Sequence, residues 1–118
     1  MRAVFIGTTP LSVVTAGILL RRGHEVIVIE GDRERIDAVS EELPCGFLHG
    51  DPGRPAILKE ADPEQTDILY CLTDHDQTNI IASLVGKSLG FRRVITLSLI
   101  HISEPTRPTR ASRMPSSA

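Results

Sequence analysis

The feature that most constrains this chain is its first 32 residues, MRAVFIGTTPLSVVTAGILLRRGHEVIVIEGD. The apolar run Ala3-Val4-Phe5-Ile6 meets Gly7, a helical pattern follows, and Arg21-Arg22-Gly23-His24 closes it. A second apolar run, Val26-Ile27-Val28-Ile29, then ends on the acid Glu30. Strand, glycine turn, helix, strand and acid within about thirty residues form the opening unit of a dinucleotide-binding sheet. The turn departs from the G-x-G-x-x-G fingerprint. Gly7-Thr8-Thr9-Pro10-Leu11-Ser12 keeps one glycine of three.

The rest of the chain continues the alternation. Asp32 is a suitable N-cap for a helix carrying Ile36, Val39 and Leu43 at helical spacing, which Pro44 stops. Phe47-Leu48-His49 reads as a short third strand ending in Gly50-Asp51, and Pro55 suits the first turn of a helix reaching Ala61. Ile68 to Leu72 is an apolar run without alternation, as expected of a strand buried on both faces. Asp76 to Leu89 reads as a helix closed by Gly90, and Arg93 to Thr96 as a fifth strand. Strands alternating with helices predict a Rossmann-like α/β fold: a doubly wound parallel sheet in the order 3-2-1-4-5.

The last 22 residues differ in kind. They hold three prolines and five serines with no periodicity, which reads as a disordered tail. Leu97 to Arg107 (LSLIHISEPTR) and Ser112 to Ala118 (SRMPSSA) also resemble translated sequencing adapter, with Pro108 to Ala111 as an index between them. We therefore expect a domain over residues 1–96, truncated after the fifth strand, and a non-native segment over 97–118. That segment is either disordered or an accidental strand extension.

Composition narrows the function classes. A length of 118 residues suits one domain, and 41% apolar with 24% charged residues suits a soluble globular one. No apolar run approaches the roughly 20 residues that span a bilayer, and no secretory signal opens the chain. A net charge of −2 and 3% aromatic residues argue against general nucleic-acid binding. Cys45 and Cys71 have no metal spacing and are expected on separated strands as buried, reduced thiols. A cytoplasmic location follows.

In a doubly wound sheet, ligands bind beyond the carboxyl ends of the strands at the switch point. Gly7 makes the tight turn, and the helix behind it offers N–H groups and a positive dipole end to an anion. Thr9 replaces the glycine that lets the backbone approach a pyrophosphate, although its hydroxyl has a proton to donate. Pro10 lacks an N–H, and Ser12 replaces the packing glycine. Glu30 is placed to accept the ribose hydroxyls, favouring NAD or an adenosine over NADP. Arg33 and Arg35 keep the NADP option open, although a place on the helix surface is the better reading for both. His49, Asp51, Asp74, His75 and Asp76 fall at strand ends without a metal signature, so no metal is expected.

The later motifs point to a family. Gly50-Asp51, Ile57 to Ala61, Asp67 to Thr73 and Asp76 to Ala82 follow the order G-D…L-x-x-A…A-D…T-x-x-D-x-x-N. Over residues 1–96 this resembles the Trk-type, or RCK, N-terminal (TrkA-N) domain of potassium uptake systems and potassium channels. The resemblance implies a regulatory, non-enzymatic domain that binds NAD or NADH, with ATP or ADP as alternatives. It also implies a homodimer or higher ring that gates a membrane transporter or channel subunit from the cytoplasmic side of the inner membrane. By position it assigns ligand contacts to Gly7, Thr8, Thr9, Pro10, Leu11, Glu30, Gly50, Asp51, Thr73, Asp74 and Asn79. Two other readings remain: the cofactor half of an NAD-dependent oxidoreductase, and a dimerisation scaffold that binds nothing.

Overall fold

The computed structural model describes residues 1–97. The non-native segment expected over 97–118 therefore lies outside the described residues, save Leu97. The chain order is β1 (Arg2–Ile6), α1 (Pro10–Arg21), β2 (Glu25–Glu30), α2 (Arg33–Ser40), β3 (Gly46–His49), α3 (Pro55–Glu60), β4 (Ile68–Cys71), α4 (Asp76–Leu89) and β5 (Arg93–Thr96). A 3-10 turn over Pro63–Gln65 precedes β4. All strand pairs are parallel and the sheet order is β3-β2-β1-β4-β5, as expected.

Sequence alternation sorts the core into two layers. Val4 and Ile6 of β1 face α3 and α4, packing with Ile29, Leu58, Leu69, Ala82 and Phe91. Ala3 and Phe5 face the other way, toward Ala16 of α1 and Leu43. All four β1 residues are fully buried, so this strand needs apolar side chains on both faces. Each large one stabilises the fold by about 1.5–3 kcal/mol relative to exposure. Phe5 also stacks on Tyr70 of the neighbouring β4, ring centroids 4.6 Å apart and planes 11° apart.

The caps follow the sequence closely. Asp32 Oδ1 accepts from the Glu34 N–H at 3.0 Å, opening α2. Gly90 takes φ +111° behind α4, a conformation that suits only glycine there. One boundary differs. Helix α2 ends at Ser40, before Pro44 could stop it. The chain turns on, and the Leu43 N–H still donates to the Val39 carbonyl at 3.0 Å. Leu43 therefore buries where helical spacing places it, although the helix has ended.

Gly86 marks the closest approach of α4 to the sheet. A Cβ there would run into Leu69 Cδ2 and stand 3.3 Å from Phe91 Cδ2. Replacing glycine by alanine favours a helix by about 1 kcal/mol, whereas overpacking a filled core costs about 1–3 kcal/mol. Leu69 is fully buried in the core that this Cβ would enter. Gly86→Ala should therefore lower the urea midpoint, and a raised midpoint would show that Leu69 can move.

Candidate functional site

A cleft of about 340 Å³ opens at the carboxyl ends of the strands, where the chain order reverses between β1 and β4. Of the sequence-assigned residues, Gly7, Thr8, Thr9, Glu30, Asp51, Thr73 and Asp74 line it. Asp32, Arg35, Pro52, His75 and Thr78 line it too and were not assigned. Arg35 is exposed on α2, as the surface reading has it, and also lines the cleft. It lies on the first turn of α2, which begins at the end of β2, and so reaches the cleft.

The floor is built by two tight contacts. Gly7 takes φ +96°, and a Cβ there would stand 2.9 Å from Thr73 Cγ2 and 3.1 Å from Thr73 Cα. Its N–H donates to the Ile29 carbonyl at 2.9 Å, tying the turn to β2. Thr9 is the N-cap of α1, its hydroxyl oxygen 3.4 Å from the Ser12 N–H. The same hydroxyl donates to the Leu72 carbonyl at 2.7 Å. The proton expected to be available to a diphosphate is therefore already engaged within the protein.

Glu30 is held in place rather than free. Its Oε1 accepts from the Thr8 hydroxyl at 2.8 Å and its Oε2 from the Asp32 N–H at 3.0 Å. Each carboxylate oxygen keeps a further lone-pair site, so the group can still accept from a ligand. Across the cleft, Asp51 Oδ1 closes its own turn by accepting from the Gly53 N–H at 2.8 Å. His75 Nδ1 stands 2.9 Å from Asp74 Oδ1.

Four assigned residues lie outside the lining. Pro10 and Leu11 begin α1 with exposed side chains. Gly50 faces Ile57 of α3, whose Cδ1 would stand 2.5 Å from an added Cβ, and its N–H donates to the Glu30 carbonyl. Asn79 is fully buried. Its Oδ1 accepts from the Thr73 N–H at 2.9 Å and the Thr73 hydroxyl at 2.7 Å. Its Nδ2 donates to the Thr73 carbonyl at 3.0 Å and the Leu97 carbonyl at 2.8 Å. Asn79 thus positions Thr73, which itself lines the cleft. Sequence spacing could mark Asn79 as special but not which way its amide points.

Among the described residues no group of His, Cys, Asp and Glu could hold a metal ion. Both thiols are free and kept apart by the sheet order, Cys45 just before β3 and Cys71 at the end of β4. Burial pushes Cys45 up to about 11 and Cys71 up to about 12, the latter against a partly opposing hydrogen bond with Thr96.

A parallel sheet with a polar cleft at its switch point defines a Rossmann-type α/β domain. The model of the TrkA-N domain matches residues 3–101, and the chain belongs to that family. It is 35% identical over 79 residues to the Trk system potassium uptake protein TrkA of Halomonas elongata, covering 66% of this chain and 17% of that one. A TrkA homolog of Pyrococcus abyssi is 28% identical over 105 residues, covering 89% and 45%. The chain thus spans less than half the length of these relatives. The NAD(P)-binding domain of an exopolyphosphatase-related protein from Archaeoglobus fulgidus shares the fold, with TM-score 0.66 and 14% identity over 85% of this chain and 89% of that one.

Two outcomes are expected from these side chains. Asn79→Ala leaves three backbone groups of Thr73 and Leu97 without their partner and should cost about 2–3 kcal/mol by urea denaturation; a loss under about 0.5 kcal/mol would mean water replaces the amide. The Cys71 thiol stays protonated in the fold beyond its ordinary value of 9.0. Its contribution is therefore complete below pH 9 and declines as pH rises toward about 12, by up to about 1.4 kcal/mol per pH unit. Cys71→Ala should flatten the fall in stability between pH 9 and 11, and an identical slope would remove that role.

Proposed function

We propose that this chain is the nucleotide-sensing module of a potassium-uptake regulator. A ligand, NAD(H) or ATP/ADP, occupies the switch-point cleft, and its occupancy biases the conformation of a larger assembly. The observation that carries this reading is Glu30: a carboxylate held at the end of β2, facing the cleft, with acceptor sites to spare. That is the position from which an acid accepts ribose hydroxyls in this kind of sheet. The relatives are Trk system potassium uptake proteins, which supplies the transport context.

The residues suit the two ends of a nucleotide unequally. Glu30, Asp32 and Asp51 offer acceptors to a ribose and a base. The phosphate side is weaker. Pro10 has no N–H, and the Ser12 N–H already meets Thr9. The N–H groups of Thr8, Thr9 and Leu11 are left without a protein partner among the described residues. Binding would rest on the nucleoside more than on a phosphate cradle.

Sensing needs no reaction. A ligand that binds one arrangement better than another shifts their populations by its difference in affinity. Neither thiol is suited to act as a nucleophile, because burial raises both where an activated one would be lowered. No described helix is long and apolar enough to cross a membrane, and in this reading the module acts on a membrane transporter or channel subunit as its partner. We further propose that the module dimerises or joins a ring on the cytoplasmic face of that partner.

Glu30→Ala should weaken nucleotide binding by about 1.5–3 kcal/mol, roughly 10- to 150-fold, by calorimetry with NADH, ADP and adenosine. Unchanged affinity would remove Glu30 from the site. No binding of any of the three to the unaltered chain at millimolar concentration would end the nucleotide reading.

A further inference from the structure

We infer that this cleft selects its nucleotide against phosphate charge, so that the uncharged nucleoside end carries the affinity. The inference rests on the nucleotide reading above and specifies its ligand class. Two independent observations support it. The first is the α1 turn, where a helix amino end normally receives a diphosphate. Thr9 places a side chain at the position of the second glycine, and its only hydroxyl proton goes to the Leu72 carbonyl at 2.7 Å. The Thr9 hydroxyl oxygen caps the Ser12 N–H, and Pro10 contributes no N–H.

The second observation is electrostatic. Among the described residues four carboxylates line the cleft, Glu30, Asp32, Asp51 and Asp74, against the guanidinium of Arg35. His75 turns its Nδ1 to Asp74 rather than to the open space. Arg54 stands outside the lining, 4.0 Å from Asp51, with both side chains exposed. A helix amino end is equivalent to roughly half a positive charge, which does not offset the carboxylates left after Arg35 and the exposed Arg54–Asp51 pair are counted. A cleft lined by one sign of charge focuses that field and disfavours a ligand of the same sign. Each added phosphate therefore brings more repulsion, against which this turn offers the backbone N–H groups of Thr8, Thr9 and Leu11 but not the Thr9 hydroxyl proton.

Salt separates this arrangement from an ordinary phosphate site. Attraction between a phosphate and a basic cleft weakens as salt screens it, whereas repulsion from an acidic cleft is relieved. The 118-residue chain should be titrated by calorimetry with adenosine, ADP and ATP, without divalent cations, at low and high sodium chloride. Adenosine should bind at least as tightly as ADP, and ATP weakest, by about tenfold or more. ATP affinity should rise with salt while adenosine affinity stays constant. ATP or ADP binding about tenfold tighter than adenosine, with affinity falling as salt rises, would overturn the inference and leave the nucleotide reading standing. No binding of any of the three would overturn both.

Two variants sharpen the result. Thr9→Gly frees the Ser12 N–H and opens the turn, and should raise ADP affinity relative to adenosine. Asp74→Asn removes one exposed carboxylate without touching the core, so it keeps the test valid if Thr9→Gly fails to fold. It should raise ATP affinity several-fold relative to that of adenosine. An unchanged ratio of ATP to adenosine in Asp74→Asn would count against the inference.

Discussion

The contact between Gly7 and Thr73 sets the geometry on which the rest depends. These residues leave adjacent central strands at the point where the chain order reverses, and nothing separates them but van der Waals distance. A Cβ on Gly7 would press on Thr73 backbone as well as side chain, so glycine is required by space and by its φ of +96°. With the strand ends this close, the β1–α1 turn must pass over β4 before entering the helix. Thr9 fastens it there through the Leu72 carbonyl. The same closeness lets Asn79 reach Thr73 from inside α4. Cleft floor, helix cap and loop after β4 are thus consequences of one approach.

That approach also explains why a departed fingerprint still yields an intact turn. The second glycine of the usual pattern permits a phosphate close to the backbone, which is a requirement of the ligand and not of the fold. Once that requirement is relaxed, a residue with a hydroxyl can bond to both the helix amino end and the neighbouring strand. Thr9 does both. Ser12, at the third glycine position, is 2% exposed and fits between helix and sheet because its side chain is small. The turn has gained internal bonds where a phosphate cradle would have been.

The sheet was legible because its signals are local and redundant. Ala3 to Ile6 and Ile68 to Cys71 are apolar without alternation, and both prove central. Pro55, Asp32 and Gly90 mark helix ends by backbone chemistry that neighbours do not alter. The cleft was legible only in part. Glu30 and Asp51 follow strand ends, so topology alone brings them to the cleft. Arg35 is one turn into a helix whose entry angle no periodicity encodes. Asn79 is harder still, because its position in the motif is compatible with an amide pointing outward or inward. The direction follows from the unpaired backbone groups of Thr73 and Leu97, which exist only once three elements have met.

Asn79 also bears on how a cleft could report its occupancy under the sensing reading. Its one amide holds the N–H, hydroxyl and carbonyl of Thr73 and, on the same nitrogen, the carbonyl of Leu97 just past β5. The amide is planar, so its oxygen and nitrogen cannot move independently. A ligand that displaces Thr73 must either break buried hydrogen bonds or carry the amide with it, and the second course acts on Leu97. Leu97 is in turn tied back to Cys71 on the central strand next door, 3.1 Å from its N–H. The chain leaving β5 is therefore mechanically continuous with the cleft wall through a single buried side chain.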